Sequence, residues 1–138
     1  MTRENSKPLK VTLTGSYRKD PAGLDRDYRE LVRNQCQVLS PRSLDFIDST
    51  VLFVRTKVEE DESSHSIQCH HLQAIALSDF VWLHAPNGYV GLSGAMEIGY
   101  AVSRGVPIFS SEELLDENLN SFVTKVPSVF LAIEQLPS

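Results

Sequence analysis

The chain has 138 residues, a formal net charge of −5 and 41% hydrophobic residues, and it contains no run of Lys or Arg. That length fits one domain, and an acidic chain without basic runs argues against nucleic acid as the main partner. The apolar stretches are too short to span a bilayer and the polar N-terminus lacks a signal-peptide pattern, so we expect a cytoplasmic protein without a membrane partner. Cys36 and Cys69 are far apart in the sequence and are expected to be reduced thiols.

Predicted strands and helices alternate from the N-terminus to the C-terminus. β-rich or continuously apolar runs predict strands over residues 10–15, 36–41, 79–86 and 105–110. Helical spacing predicts helices over residues 24–35, 65–78, about 94–104 and 127–137, and the start of another helix within residues 111–119. The first of these helices follows a Pro21–Gly23 break, and Ser63 or Ser64 is the expected N-cap of the second. Residues 42–54 are ambiguous between a strand and a flap.

This alternation predicts the fold class. We expect an α/β protein with a flavodoxin- or Rossmann-like three-layer sandwich, a mostly parallel sheet and a single domain. Residues 1–9 are predicted to be a flexible N-terminus and residues 10–138 the folded domain. Ligands of such sheets bind beyond the carboxyl ends of the strands, so the loops over residues 15–20 and 85–94 are the candidate binding loops.

The first loop, "GSYRKD", has the composition of an anion site. Gly15 and Ser16 end the first strand and are expected to expose backbone N–H groups and a hydroxyl, with Arg18 and Lys19 just beyond. Free amides beside a guanidinium suit a phosphate. The alternative is an ordinary turn with two solvated cations.

The second loop leads to one acid among small and apolar residues. Gly88 and Gly91 allow the backbone to approach a ligand closely, and Tyr89 has a ring that can stack on a base or cover the site. With Ser93 as the expected N-cap, Glu97 falls in or just after the first helical turn. Glu97 is then either a carboxylate facing a ligand or an acid stabilised only by the helix dipole.

At this loop the chain resembles a known family. "SDFVWLHAPNGYVGLSGAMEIGYAVSRGVPIF", residues 78–109, is similar to the signature of the nucleoside 2-deoxyribosyltransferase superfamily, which includes 2′-deoxynucleoside 5′-monophosphate N-glycosidases. The shared pattern is an Asp-initiated apolar strand, a glycine-rich loop and a helix beginning with an acid followed by x-Gly-x-Ala. "TGSYR", residues 14–18, is similar to the family's Gly-Ser-x-Arg phosphate loop. The resemblance covers roughly residues 10–110.

The resemblance implies a reaction and a set of residue roles. Glu97 would attack C1′ of a ribosyl or deoxyribosyl group, and water or a second base would resolve the glycosyl-enzyme. Tyr17 would lie near the sugar and the nucleophile. The resemblance further implies no cofactor, a nucleoside or nucleotide as ligand, and a homodimer or higher homo-oligomer. The residues that would hold a 5′-phosphate are Gly15, Ser16, Arg18 and Ser93.

Two positions depart from the family pattern. Where this chain has His71, the family usually has an Asp. Where this chain has Gly91, the family often has an Asp, or a Ser in its nucleotide hydrolases. A histidine titrates near neutral pH, so His71 can serve as a general acid in place of a carboxylate. Because both acids are absent, we expect hydrolysis rather than base transfer.

Alternative interpretations belong to other functional classes. One is a non-catalytic nucleotide-binding or sensor module, and another is a phosphoribohydrolase of the cytokinin-activating kind. The cluster "HSIQCHH", residues 65–71, raises the possibility of zinc, but a structural zinc site needs four ligands, so we predict no metal site.

Overall fold

A computed structural model describes residues 7–45 and 56–137. Five strands in these ranges form one parallel sheet in the order β2-β1-β3-β4-β5. The strands are β1 Lys10–Gly15, β2 Gln37–Ser40, β3 Phe80–His84, β4 Ile108–Ser110 and β5 Thr124–Lys125. The helices are α1 Pro21–Arg33, α2 Ser64–Leu77, α3 Leu92–Ser103, α4 Glu117–Asn120 and α5 Val129–Glu134. The predicted single-domain α/β sandwich is therefore confirmed.

Each face of the sheet packs against helices, as expected for a parallel sheet. Alternate residues of a strand point to opposite faces. On one face, strand residues such as Leu13 and Trp82 pack with residues from α1 and α5, including Leu24 and Val129. The core of the other face comprises residues of β3, β4, α2 and α3, among them Val81, Leu83, Ile108, Ile75 and Ile98.

The direction in which successive strands are added to the sheet reverses between β1 and β3. β2 lies on one side of β1 and all later strands lie on the other. The crossovers on either side of such a switch point diverge, and a crevice opens at the carboxyl ends of the two strands. β1 reaches this crevice with hydroxyl-bearing side chains on its α2/α3 face. Thr12 Oγ1 lies 2.8 Å from Ser78 Oγ, and Thr14 lies at the crevice itself.

Several element boundaries differ from the predictions. α1 already begins at Pro21, and its N-cap Asp20 accepts a hydrogen bond from Gly23 N, because Pro is well suited to the first helical position. The predicted break is thus the first turn of the helix. Ser63 caps α2, which is one of the two predicted caps.

Two further boundaries were wrong. α3 begins at Leu92 with Gly91 as its N-cap, so Ser93 lies in the first turn and is not the cap. Residues 111–116 are irregular, and the helix predicted from this stretch is only the single turn of α4, capped by Asp116. Most of the ambiguous segment 42–54, and most of the predicted flexible N-terminus, lie outside the described residues.

Within the described ranges, no helix combines the length and apolar composition that a membrane span requires.

Candidate functional site

A cavity of about 470 Å³ lies beyond the carboxyl ends of β1 and β2 and beside the N-terminus of α3. Its volume is in the range of small-molecule sites, roughly 300–1,000 Å³. The structure brings nine of the ten predicted site residues to its wall. They are Gly15, Ser16, Tyr17, Arg18, His71, Tyr89, Gly91, Ser93 and Glu97.

The tenth predicted residue, Gly88, has a different position. Gly88 is buried behind the loop with φ of 81°, and its carbonyl accepts a hydrogen bond from Leu115 N at 3.0 Å. A Cβ atom at this position would lie 2.5 Å from Glu113 O. Gly88 therefore shapes the loop through its backbone and is not in the cavity wall.

The carboxylate of Glu97 is buried, with only 6% of the residue exposed, and it has partners on both oxygens. The Thr14 hydroxyl donates to Oε1, and Gln68 Nε2 donates to Oε2 at 2.8 Å. His71 Nε2 lies 3.4 Å from Oε1. Residues of β1 and α2 thus contact the carboxylate of an acid that lies on α3.

These partners keep Glu97 ionised. Burial by itself would raise the pKa of Glu97. Electrostatic attraction to His71, together with hydrogen bonding to His71, Thr14 and Gln68, outweighs that effect and lowers the pKa of Glu97 below its ordinary value of 4.5. The cavity therefore contains a carboxylate at neutral pH, which is the form needed for a nucleophile or for pairing with a cation.

His71 has a partner on each ring nitrogen. Ser40 Oγ lies 2.6 Å from Nδ1, and Thr14 Oγ1 lies 3.2 Å from Nε2. In this arrangement His71 supports Glu97, and its ring must give up one of these contacts before either nitrogen can contact a ligand. The ring is buried and lies at the cavity wall.

Tyr17 contributes a neutral phenol beside the same two residues. Its hydroxyl donates to Leu13 O at 2.7 Å, and its ring meets the ring of His71 edge-on at 6.3 Å between centroids. Burial raises the pKa of Tyr17, and the negative charges of Glu97 and Glu59 raise it further. Tyr17 therefore keeps its proton at neutral pH and donates it in the hydrogen bond to Leu13 O.

The cavity has a cationic end formed by the first loop and α3. The guanidinium of Arg18 is at the wall and makes no ion pair with a carboxylate of the described residues. Gly91 offers no side chain to cap α3, so the first backbone N–H groups of that helix have no intrahelical acceptor. Lys19 Nζ lies 4.4 Å above the ring of Tyr89. These groups favour an anionic ligand.

The backbone N–H of Ser16 is not exposed as the sequence led us to expect. It donates to His84 O at 3.2 Å because the strand-end turn closes against β3. The Ser16 hydroxyl oxygen accepts from Lys19 N at 3.0 Å, which leaves its own proton available to a ligand. Ser16 can therefore contact an anion through its side chain only.

Sequence reasoning missed three polar wall residues, Ser40, Glu59 and Gln68, and it missed Thr14, which holds Glu97 without lining the cavity. One signal was present for Gln68. It precedes His71 by three residues on a predicted helix, and residues three apart share a helix face. Thr14 and Ser40 each lie at the carboxyl end of a strand, where ligands of parallel sheets bind. Glu59 belongs to a short 3₁₀ turn that no pattern predicted.

The other histidines lie away from the cavity. His84 is on the opposite face of the sheet, where Nδ1 lies 2.8 Å from Asp27 Oδ2 and Nε2 lies 3.4 Å from Asp20 Oδ2. His65 Nε2 lies 3.6 Å from Cys69 Sγ on α2. In residues 7–45 and 56–137 no three His, Cys, Asp or Glu side chains are placed to hold a metal ion.

A comparison of the chain with models of known protein families gives no match, and a comparison with curated protein sequences finds no significant relative.

Proposed function

We propose that this protein is an N-glycosidase that hydrolyses the N-glycosidic bond of a nucleoside 5′-monophosphate or nucleoside, with Glu97 as nucleophile. The proposal places the chain in the nucleoside 2-deoxyribosyltransferase superfamily that its sequence resembles. The observation that carries it is the buried, ionised carboxylate of Glu97 at the wall of a cavity of small-molecule size.

In the proposed reaction, a Glu97 oxygen attacks C1′ through an oxocarbenium-like transition state and the base leaves. Water then attacks C1′ of the glycosyl-enzyme and releases the sugar with retained configuration. His71 or Tyr17 supplies the proton for the departing base, since His71 lies beside Glu97 and the ring of Tyr17 meets the ring of His71. Thr14 and Gln68 hold the carboxylate, and substrate binding must loosen at least one of these contacts before attack.

The cationic end of the cavity favours a 5′-phosphate on the substrate. Arg18, Ser16 and the first turn of α3 all line the cavity and offer a guanidinium, a hydroxyl and backbone N–H groups. Tyr89 lies at the same wall with Lys19 over its ring, and it can stack on a base. Hydrolysis is preferred to base transfer because His71 and Gly91 replace the acids that the resembled family uses.

A homodimer belongs to the same proposal. Leu92, beside the cavity, is 92% exposed, and Met96, one turn later on α3, is 48% exposed. Two exposed apolar side chains one helical turn apart are suited to contact with a second copy.

A non-catalytic nucleotide-binding module is the second candidate. This candidate is favoured because both oxygens of Glu97 and both ring nitrogens of His71 already have protein partners. A nucleophile of an active enzyme needs to leave such partners during each turnover.

Release of free base from a panel of nucleosides and their 5′-monophosphates tests the proposal. Wild type, Glu97→Gln and the exposed control Glu134→Gln are incubated with each compound, and free base is measured by chromatography. We expect release by wild type and by Glu134→Gln, and a loss of at least about 1,000-fold in Glu97→Gln, as expected when a nucleophile is removed. Binding of monophosphates without release from any compound would favour the module.

A further inference from the structure

Ser40, His71 and Glu97 form a chain of polar contacts along one wall of the cavity. Ser40 Oγ lies 2.6 Å from His71 Nδ1, and His71 Nε2 lies 3.4 Å from Glu97 Oε1. All three residues line the cavity. A hydroxyl on one ring nitrogen and a carboxylate beside the other is the arrangement by which a serine nucleophile is activated.

The direction of the hydrogen bonds follows from the donors available. The Thr14 hydroxyl has one proton, which it donates to Glu97 Oε1 because an ionised carboxylate can only accept. Thr14 Oγ1 then accepts from His71 Nε2–H. In the neutral ring this leaves Nδ1 without a proton, so Nδ1 accepts from Ser40 Oγ–H. His71 therefore faces Ser40 as a base.

We propose that Ser40 is a nucleophile in its own right and that the cavity hydrolyses short-chain carboxylic esters through an acyl-Ser40 intermediate. His71 is the general base and acid of this activity, and Glu97 orients the ring and stabilises the imidazolium. This inference does not depend on the glycosidase proposal, which assigns Glu97 a different role.

The reaction balances with an ester and water alone. Ser40 Oγ bonds to the carbonyl carbon while its proton passes to His71 Nδ1. The C–O bond to the alcohol breaks, and His71 returns the proton to the leaving alkoxide. Water then attacks the acyl-serine with transfer of its proton to His71, and the carboxylic acid leaves as Ser40 Oγ is reprotonated.

Donors for the oxyanion must come from outside the serine loop. The residue after Ser40 is Pro41, which has no backbone N–H. The first turn of α3 provides uncapped N–H groups, and Leu92, Ser93 and Gly94 of that turn line the same cavity as Ser40. The turn therefore provides N–H donors for the oxyanion.

The test is covalent labelling of the whole chain with an alkyl fluorophosphonate, which phosphonylates activated serines, followed by peptide mass spectrometry. We expect a single adduct on Ser40 in the wild type, and hydrolysis of p-nitrophenyl acetate above the rate in buffer. Ser40→Ala should abolish the adduct. His71→Ala should slow labelling by about 100-fold or more, the contribution of a positioned general base. Ser103→Ala removes an exposed serine on α3 and should label like wild type.

The identity of the labelled residue in the wild type decides the matter even if a variant fails to fold. An unlabelled Ser40, or labelling of Ser40 at the same rate in folded His71→Ala, would overturn the inference. An adduct on Ser40 together with no base release from any nucleotide would support this inference and count against the glycosidase, so the two proposals fail separately.

Discussion

Gln68 and Glu97 are joined across the packed helices α2 and α3 by a hydrogen bond of 2.8 Å from Gln68 Nε2 to Glu97 Oε2. An acid that only stabilised the N-terminus of α3 would need no such partner on another helix. The bond instead fixes the plane of a carboxylate that is also held on its other oxygen. Glu97 is thus an oriented group, as nucleophiles and ligand-binding acids are.

Gln68→Ala should destabilise the fold, because it leaves one oxygen of a buried carboxylate without a donor. We expect a loss of about 1–3 kcal/mol in the free energy of unfolding, measured with urea. Gln73→Ala, an exposed position on the same helix, should change it by less than about 0.5 kcal/mol. Equal effects of the two changes would mean that the Gln68 bond contributes nothing.

Stability should fall at acid pH through Glu97. Because the pKa of Glu97 is lower in the folded chain than its ordinary value of 4.5, its contribution is fully present above pH 4.5 and is lost as pH falls through the folded value. Wild type should therefore lose more stability than Glu97→Gln between about pH 6 and pH 3. Thermal melting at several pH values measures this difference, and parallel curves would contradict the lowered pKa.

Gly15→Ala should be severely destabilising. Gly15 has φ of 117°, and a Cβ there would lie 2.0 Å from His84 O. We expect a loss of at least about 3 kcal/mol. Gly99→Ala is the matched control, since a Cβ at that helical position meets nothing within 4 Å. It should stabilise by about 0.4–1 kcal/mol. A tolerated Gly15→Ala would show that the turn after β1 can relax.

Arg18→Ala should distinguish phosphorylated from unphosphorylated ligands. Loss of a charge-assisted hydrogen bond of about 1.5–3 kcal/mol raises the Kd for a 5′-monophosphate by about 10- to 100-fold, with little change for the nucleoside. Arg104→Ala, an exposed cation at the far end of α3, should leave both values unchanged. Titration calorimetry measures both ligands, and equal weakening of the two would exclude a phosphate contact.

The sheet could be predicted well because its signals are local. β3 is a run of apolar residues buried along its whole length, and it ends at a proline loop, so pattern alone located it. β5 has only two residues, both exposed, and no periodicity can be read from so short an element. The start of α3 was misplaced because a serine is a stronger cap signal than the glycine that actually caps the helix.

Most of the predicted site residues belong to motifs that run along the chain. Glu97 and the residues of the 15–18 loop belong to contiguous motifs, whereas Ser40 and Gln68 reach the cavity from separate elements. The position of Gln68 depends on which face of α2 turns towards β1, and that of Ser40 depends on β2 pairing beside β1; a single sequence specifies neither. Thr14 was not predicted as a site residue because β-branched residues are common in strands, so a threonine there gives no sign of a functional role.

The hydrogen bond between Thr14 and Glu97 spans 83 positions of the chain, and the contact of Thr14 with His71 spans 57. No short fragment can bring these groups together, so the acid is completed only after β1, α2 and α3 have all docked. The partners of Glu97 therefore come together only through long-range contacts, which form late because they close long loops of the chain. A partly folded chain would therefore lack the oriented carboxylate of Glu97.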